Sequence, residues 1–255
     1  MGVRLAVCAL LVACSGGKTR TIEDAKHPAA GSDAARADAP VAIVPAKAAT
    51  GDVTVRVEWP KVPSAVRASP GPTTCGAPRL PQVAPTTTWG IPEVLVIVEG
   101  APVTPAEARV RLADCALTPR LAIGSSLVLE SAADRPARVT VARRRQAGDL
   151  RAKLPDGART ALLPVAGHAV AVAIEPGGVY ELAAEGKEPE TAWIIAAGGA
   201  ITDPSGVVLV KDVPVGAHAV RAWLPPRAGQ PARFASGQVT VAAGDLAELV
   251  LQLEP

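Results

Sequence analysis

The stretch ITDPSGVVLVKDVPVGAHAVRAW, residues 201–223, decides the fold class. Asp203-Pro204-Ser205-Gly206 has the chemistry of a β-turn, in which Pro fixes φ and Gly supplies freedom at the end. Residues 207–210 form an apolar, largely β-branched run. Pro214-Val215-Gly216 marks a second turn. Residues 217–224 then alternate, with Ala217, Ala219, Arg221 and Trp223 on one face and His218, Val220, Ala222 and Leu224 on the other. The stretch therefore reads as a hairpin of two short strands, and neither turn carries a catalytic group.

Outward from it, the composition agrees. The chain of 255 residues holds 25 Pro and 23 Gly, spread so that they cut it into short segments. That suits an all-β protein with many turns. Alanine accounts for much of the 49% hydrophobic content and favours helix, but no long run has apolar residues at helical spacing. A net charge of +2 gives no global case for nucleic acid. The length allows one or two domains.

Before the folded region, residues 1–13 combine Arg4 with an apolar core from Leu5, too short for a membrane span of about 20 residues. They fit a secretory signal. Leu11-Val12-Ala13-Cys14 resembles the lipobox of bacterial lipoproteins, which implies cleavage before Cys14 and lipidation of its thiol. The alternative is an ordinary secretory signal with a chance Cys. Ser15 rather than Asp after the Cys suggests the outer membrane, by analogy with enterobacterial sorting. Residues 14–50, rich in Ala, Asp, Lys and Pro and including His27, lack a periodic apolar face and read as a disordered tether. Its flexible coil would reach roughly 30–35 Å. Of four cysteines, Cys8 leaves with the signal and Cys14 takes lipid, so Cys75 and Cys115 remain, as one disulfide in an oxidising compartment or as two unpaired thiols. A bridge closing about 40 residues would contribute roughly 4 kcal/mol.

In residues 53–58, Val53, Val55 and Val57 alternate with Thr54, Arg56 and Glu58, a half-buried strand ending at Trp59-Pro60. Residues 60–92 form a long proline-rich connection containing Cys75. Residues 93–100, EVLVIVEG, are nearly all apolar, as a central strand requires. Residues 237–241 and 246–253, with the turn Ala243-Gly244-Asp245 between them, supply the last strands. An apolar strand ending in Glu-Gly, then Thr202-Asp203-x-x-Gly206, then Asp212-Val213-Pro214-x-Gly216 and a strand ending in Trp223 resembles carboxypeptidase regulatory-like domains. The resemblance implies a transthyretin-like β-sandwich. Val207 and Val208 depart from that family, which has a basic residue and Phe after the first Gly.

In that family the strand and the turn are close neighbours, whereas about 100 residues intervene here. The segment Cys115-Ala-Leu-Thr-Pro-Arg-Leu-Ala-Ile-Gly-Ser-Ser-Leu-Val-Leu-Glu resembles the entry to cupredoxin-like domains of exported proteins related to methylamine utilisation. The run from Ser131 to Val141 and Glu175-Pro-Gly-Gly-Val-Tyr-Glu-Leu would be later parts of the same pattern. The implied fold is all-β, with a transthyretin-like sandwich from residues 51–100 plus 200–255 and a cupredoxin-like sandwich, 101–199, inserted between its strands. Cupredoxin copper is held by two His and a Cys, often with an axial Met. The matching segments contain none of these, and Met1 is the one methionine. His168 reads as an exposed strand residue, and His218 has no partner His. No metal or cofactor is expected.

Arg143-Arg144-Arg145, with Arg135, Arg138, Arg151 and Lys153 around it, is a basic cluster. It is a candidate contact for anionic headgroups or acidic glycans near the membrane, or simply a solvated loop or strand end. No aromatics are interleaved, which argues against single-stranded nucleic acid. There is no phosphate loop, G-x-S-x-G or H-E-x-x-H motif. The expectation is a non-catalytic lipoprotein of the cell envelope and outer membrane, anchored by lipid and binding an envelope protein or glycan. The alternatives are a periplasmic electron-transfer or metal-handling protein and, with least support, a hydrolase.

Overall fold

The computed structural model describes residues 49–254 apart from 70, 74, 77, 80, 82, 84, 105, 156, 187–189 and 228–229. The expectations for the signal segment, Cys14 and the tether up to residue 48 fall outside the described residues.

Alternation at the start of this region becomes burial. Strand β1 (Thr50–Glu58) turns Val53, Val55 and Val57 inward with no exposed surface and leaves Thr54, Arg56 and Glu58 half-buried. A proline-rich connection follows, with one short helix, α1 (Ser64–Arg67), that buries Val66. Next come β2 (Leu95–Val98), β3 (Glu107–Ala113), β4 (Ala116–Thr118), β5 (Leu121–Ile123) and β6 (Ser126–Ser131). The long β7 (Ala137–Gln146) precedes β8 (Ala158–Leu163), β9 (Ala169–Val172), β10 (Gly178–Ala184) and β11 (Thr191–Ile195). The chain ends in β12 (Ala200–Ile201), β13 (Val207–Pro214), β14 (Gly216–Leu224), β15 (Arg233–Val241) and β16 (Leu246–Gln252).

The protein is all-β, and its described strands pair into four sheets: β13-β1-β16, β12-β2-β14-β15, β5-β11-β10-β7-β8 and β4-β3-β6-β9. The first two sheets face each other over Val53, Val55, Val57, Val96, Val220 and Leu251. The last two do so over Val110, Leu129, Val141, Leu182 and Ile194. These are two sandwiches. A third cluster lies between them: Leu95 and Trp223 from the second sheet meet Leu121, Val179, Trp193 and Ile195 from the third. The sheet containing β2 and β14 is thus covered on both faces, which explains why residues 95–98 are almost uniformly apolar.

The stretch 201–223 is not a hairpin. β13 pairs with β1, whereas β14 pairs with β2 and β15, so the two consecutive strands belong to opposite sheets of one sandwich. The backbone turns the corner through Asp212 at φ +56° and Gly216 at φ +137°. Between them Val215 N–H donates to Ala49 O at 3.1 Å, beside the start of β1. Turn residues and an alternating strand look the same in sequence whether the second strand pairs with the first or crosses to the facing sheet.

The preceding turn has a specific cause for each residue. Thr202 is buried, and its Oγ1 accepts from Val94 N–H at 3.0 Å and donates to Ile91 O at 2.8 Å. One Asp203 oxygen, Oδ1, accepts from Ser205 N–H, Ser205 Oγ–H and Val207 N–H at 2.8, 2.6 and 3.0 Å. Those bonds favour the charged form and hold the carboxyl below its ordinary range, the Ser205 hydroxyl contributing most. Gly206 sits at φ +81°, and a Cβ there would fall 2.4 Å from Ile91 N. Only glycine fits that approach.

Candidate functional site

The arginine triplet lies on the last third of β7, where the ladder with β10 slips. Tyr180 pairs with Arg143 and Val179 with Arg145, leaving Arg144 as the extra residue of a β-bulge. A bulge re-aims side chains, and here it divides the triplet. Arg143 goes with Tyr180 and bonds Glu175 and Gln146. Arg144 and Arg145 line a cleft of about 670 Å³ between the two sandwiches.

This cleft is built from sequence-distant pieces. From the second sandwich come Arg144, Arg145, Glu181 and Trp193, with Arg151, Lys153, Leu154 and Pro155 from the β7–β8 connection. From the first come Pro226 and Pro231 of the β14–β15 connection and Phe234 of β15. Trp193 is nearly buried and meets Trp223 edge to face, with ring centroids 5.3 Å apart. Its Nε1–H donates to Pro226 O at 3.3 Å, tying the floor to the opposite wall. The Arg151 guanidinium lies 4.5 Å over the Phe234 ring, and its Nη2 donates to Glu254 Oε2 at 2.9 Å.

Arg145 is 7% exposed. Its Nη1 donates to Leu150 O at 2.7 Å and Arg151 O at 3.1 Å, so it organises the connection that carries the other cations. Its Nε–H is buried without an acceptor among the described residues. Burial lowers its pKa from the ordinary arginine value, with Asp149 and Glu181 opposing. Arg144 Nε donates to Glu181 Oε2 at 2.7 Å. Lys153 is exposed. The basic cluster expected as one anionic-surface patch is therefore split: Arg143 faces elsewhere, Arg145 is internal, Arg135 and Arg138 lie at the far end of β7, and Arg151 and Lys153 join the cleft.

Beside the cleft the sandwiches are clamped together. Glu93 Oε2 accepts from Arg120 of the second and Arg227 of the first, each at 2.8 Å. Burial lowers the Arg227 pKa, nearby Arg120 adds to this, and Glu93 opposes both. Cys75 and Cys115 form a disulfide, with Cα atoms 5.8 Å apart, between the proline-rich connection and the β3–β4 turn. None of Glu93, Arg120, Arg227, Trp193 or Phe234 was singled out by the sequence as a site residue. The available signals were the few aromatics and the acid interrupting an apolar run at Glu93.

The histidines among the described residues, His168 and His218, each lie against backbone oxygens. His168 Nδ1 lies 3.4 Å from Val165 O, and His218 bridges Glu99 O and Pro214 O, each at 2.7 Å. Among the described residues no group of three or more His, Cys, Asp or Glu is placed to hold a metal ion. The described cleft residues include no Ser, Cys or His. What they offer is fixed positive charge and N–H donors, because guanidinium keeps its proton. No protein-family model, curated protein or solved structure matches the chain.

Proposed function

We propose that the protein is an envelope lipoprotein, anchored to the outer membrane through lipid on Cys14, whose folded part is a non-catalytic binding module. The observation that carries the binding role is the cleft between the sandwiches. Its floor is formed by strands and its rim by the β7–β8 and β14–β15 connections, the two sandwiches are tied together by Glu93 and the Cys75–Cys115 bridge, and its guanidinium donors keep their protons. Its volume falls within the ordinary range of ligand sites, and the junction of two structural units is a common place for one. The Thr202–Gly206 turn supports a transthyretin-like reading of the first sandwich, and the residues after Cys115 support a cupredoxin-like ancestry for the second.

The anchor is tested by expressing the full chain in a bacterium fed an alkyne-tagged fatty acid. The wild type should carry the tag and sediment with the outer membrane. Cys14→Ala should lose the tag and appear in the soluble fraction. An untagged, soluble wild type would refute the anchored reading. Turnover of any bound ligand by the purified chain would refute the non-catalytic one.

A further inference from the structure

We infer that the cleft between the sandwiches is a binding site for an oligosaccharide bearing oxyanions, carboxylate or phosphate. This rests on the binding-module reading and gives it a site and a ligand class.

Charge sets the sign of the ligand. Four cations, Arg144, Arg145, Arg151 and Lys153, line the cleft; Glu181 holds Arg144, Glu254 holds Arg151 from the edge and Asp149 acts on Arg145, which leaves a smaller positive excess with Lys153 as its exposed member. Lys153 has no ion-pair or hydrogen-bond partner among the described residues. The Arg145 Nε–H is more than nine-tenths buried in the lining and lacks an acceptor there. With almost no accessible surface of its own, that group adds positive charge beneath the lining rather than a contact to the ligand. Guanidinium groups suit planar or tetrahedral oxyanions because their N–H donors form a fixed fork.

Shape sets the body of the ligand. The first sandwich contributes Pro226 and Pro231, apolar surface that can pack against the C–H face of a pyranose ring, beside Phe234, whose ring Arg151 already covers at 4.5 Å. A volume of about 670 Å³ leaves room for a ligand much larger than a bare inorganic anion. The Trp193–Pro226 hydrogen bond joins the floor to the opposite wall.

The test uses the full chain purified in uncharged detergent and isothermal titration calorimetry. The probes are tetragalacturonate, a bis-phosphorylated glucosamine disaccharide, neutral maltotetraose, tetraglutamate and citrate. At least one of the two anionic saccharides should bind with Kd on the order of tens of micromolar. Which one binds more tightly identifies carboxylate or phosphate as the natural oxyanion. Maltotetraose should not bind, and tetraglutamate and citrate should bind at least about tenfold more weakly. Arg151→Ala with Lys153→Ala, both exposed, should weaken saccharide binding about tenfold, whereas Arg109→Ala on the opposite sheet should leave it unchanged.

Absence of binding by both anionic saccharides overturns the inference. So does equal binding of citrate or tetraglutamate, or of maltotetraose, or indifference to the Arg151/Lys153 double substitution. The anchor reading is separable, since calorimetry does not depend on where the chain is lodged. Release of new reducing ends would sink the non-catalytic reading while leaving the site in place.

Discussion

The core inside the first sandwich and the seam between the two sandwiches are made from the same strands but from different chemistry. On β14, Val220, Ala222 and Leu224 enter the first core, while Trp223 points the other way and enters the seam. The inner core is almost entirely aliphatic, with valine predominant. The seam instead gathers two tryptophans, a glutamate whose Oε2 accepts from two arginines, and a flanking cleft of arginines. A closed aliphatic core is filled by dispersion and area alone. A seam that also opens into a ligand cleft must fix the orientation of its walls, and rings and forked ion pairs do that better than methyl groups.

The contrast is tested most severely at Trp223, which is fully buried and supports Trp193. Trp223→Ala should cost about 3–5 kcal/mol in urea unfolding. It should also loosen the cleft floor, read as a red-shifted and broadened Trp193 emission. A loss below about 1 kcal/mol would mean the seam is a loose contact rather than a third core. Next in size is the covalent staple. Cys75→Ser should destabilise by about 2–4 kcal/mol, and a reducing agent should have the same effect on the wild type but none on the variant.

How far the sequence carried differs between the two regions for the same reason. Period-two alternation marks residues that share one face, so Val53, Val55 and Val57 declare themselves as one wall. The run 95–98 also declares burial on both faces, without saying what lies on the second. Seam residues come singly from distant strands, Leu95, Leu121, Trp193 and Trp223, and no local pattern links them. Residues 201–223 show the further limit: turn chemistry located both bends, but alternation carries no information on whether β14 pairs with β13 or crosses to the facing sheet. The arginine triplet was visible as charge. Its division depends on a bulge set by pairing with β10, 35 residues or so away, which composition cannot express.

A smaller effect is expected at the clamp. Glu93→Gln keeps the shape and removes the charge shared by Arg120 and Arg227, which weakens the compensation of the mostly buried Arg227 guanidinium. The loss should be about 2 kcal/mol. A double-mutant cycle with Trp223→Ala should show non-additivity, because both hold the same seam. Strict additivity would separate the clamp from the aromatic contact.

The smallest effect belongs to the first sandwich alone and is read through pH. Asp203 is exposed, and its hydrogen bonds to Ser205 and Val207 lower its pKa below the ordinary 3.8. The folded state therefore binds that proton less readily than the unfolded chain does. By linkage its contribution is fully present above the unfolded value and is lost as pH falls through the folded one. Solvent screening keeps the contribution at about 1 kcal/mol or less. Asp203→Asn retains an acceptor but cannot titrate. The difference in unfolding free energy between wild type and Asp203→Asn should be constant at neutral pH and shrink as pH drops below about 4. If the Asp203 difference stayed constant down to pH 2, its carboxylate would not be what holds the turn, and the contact of Gly206 with Ile91 would have to fix the bend by itself.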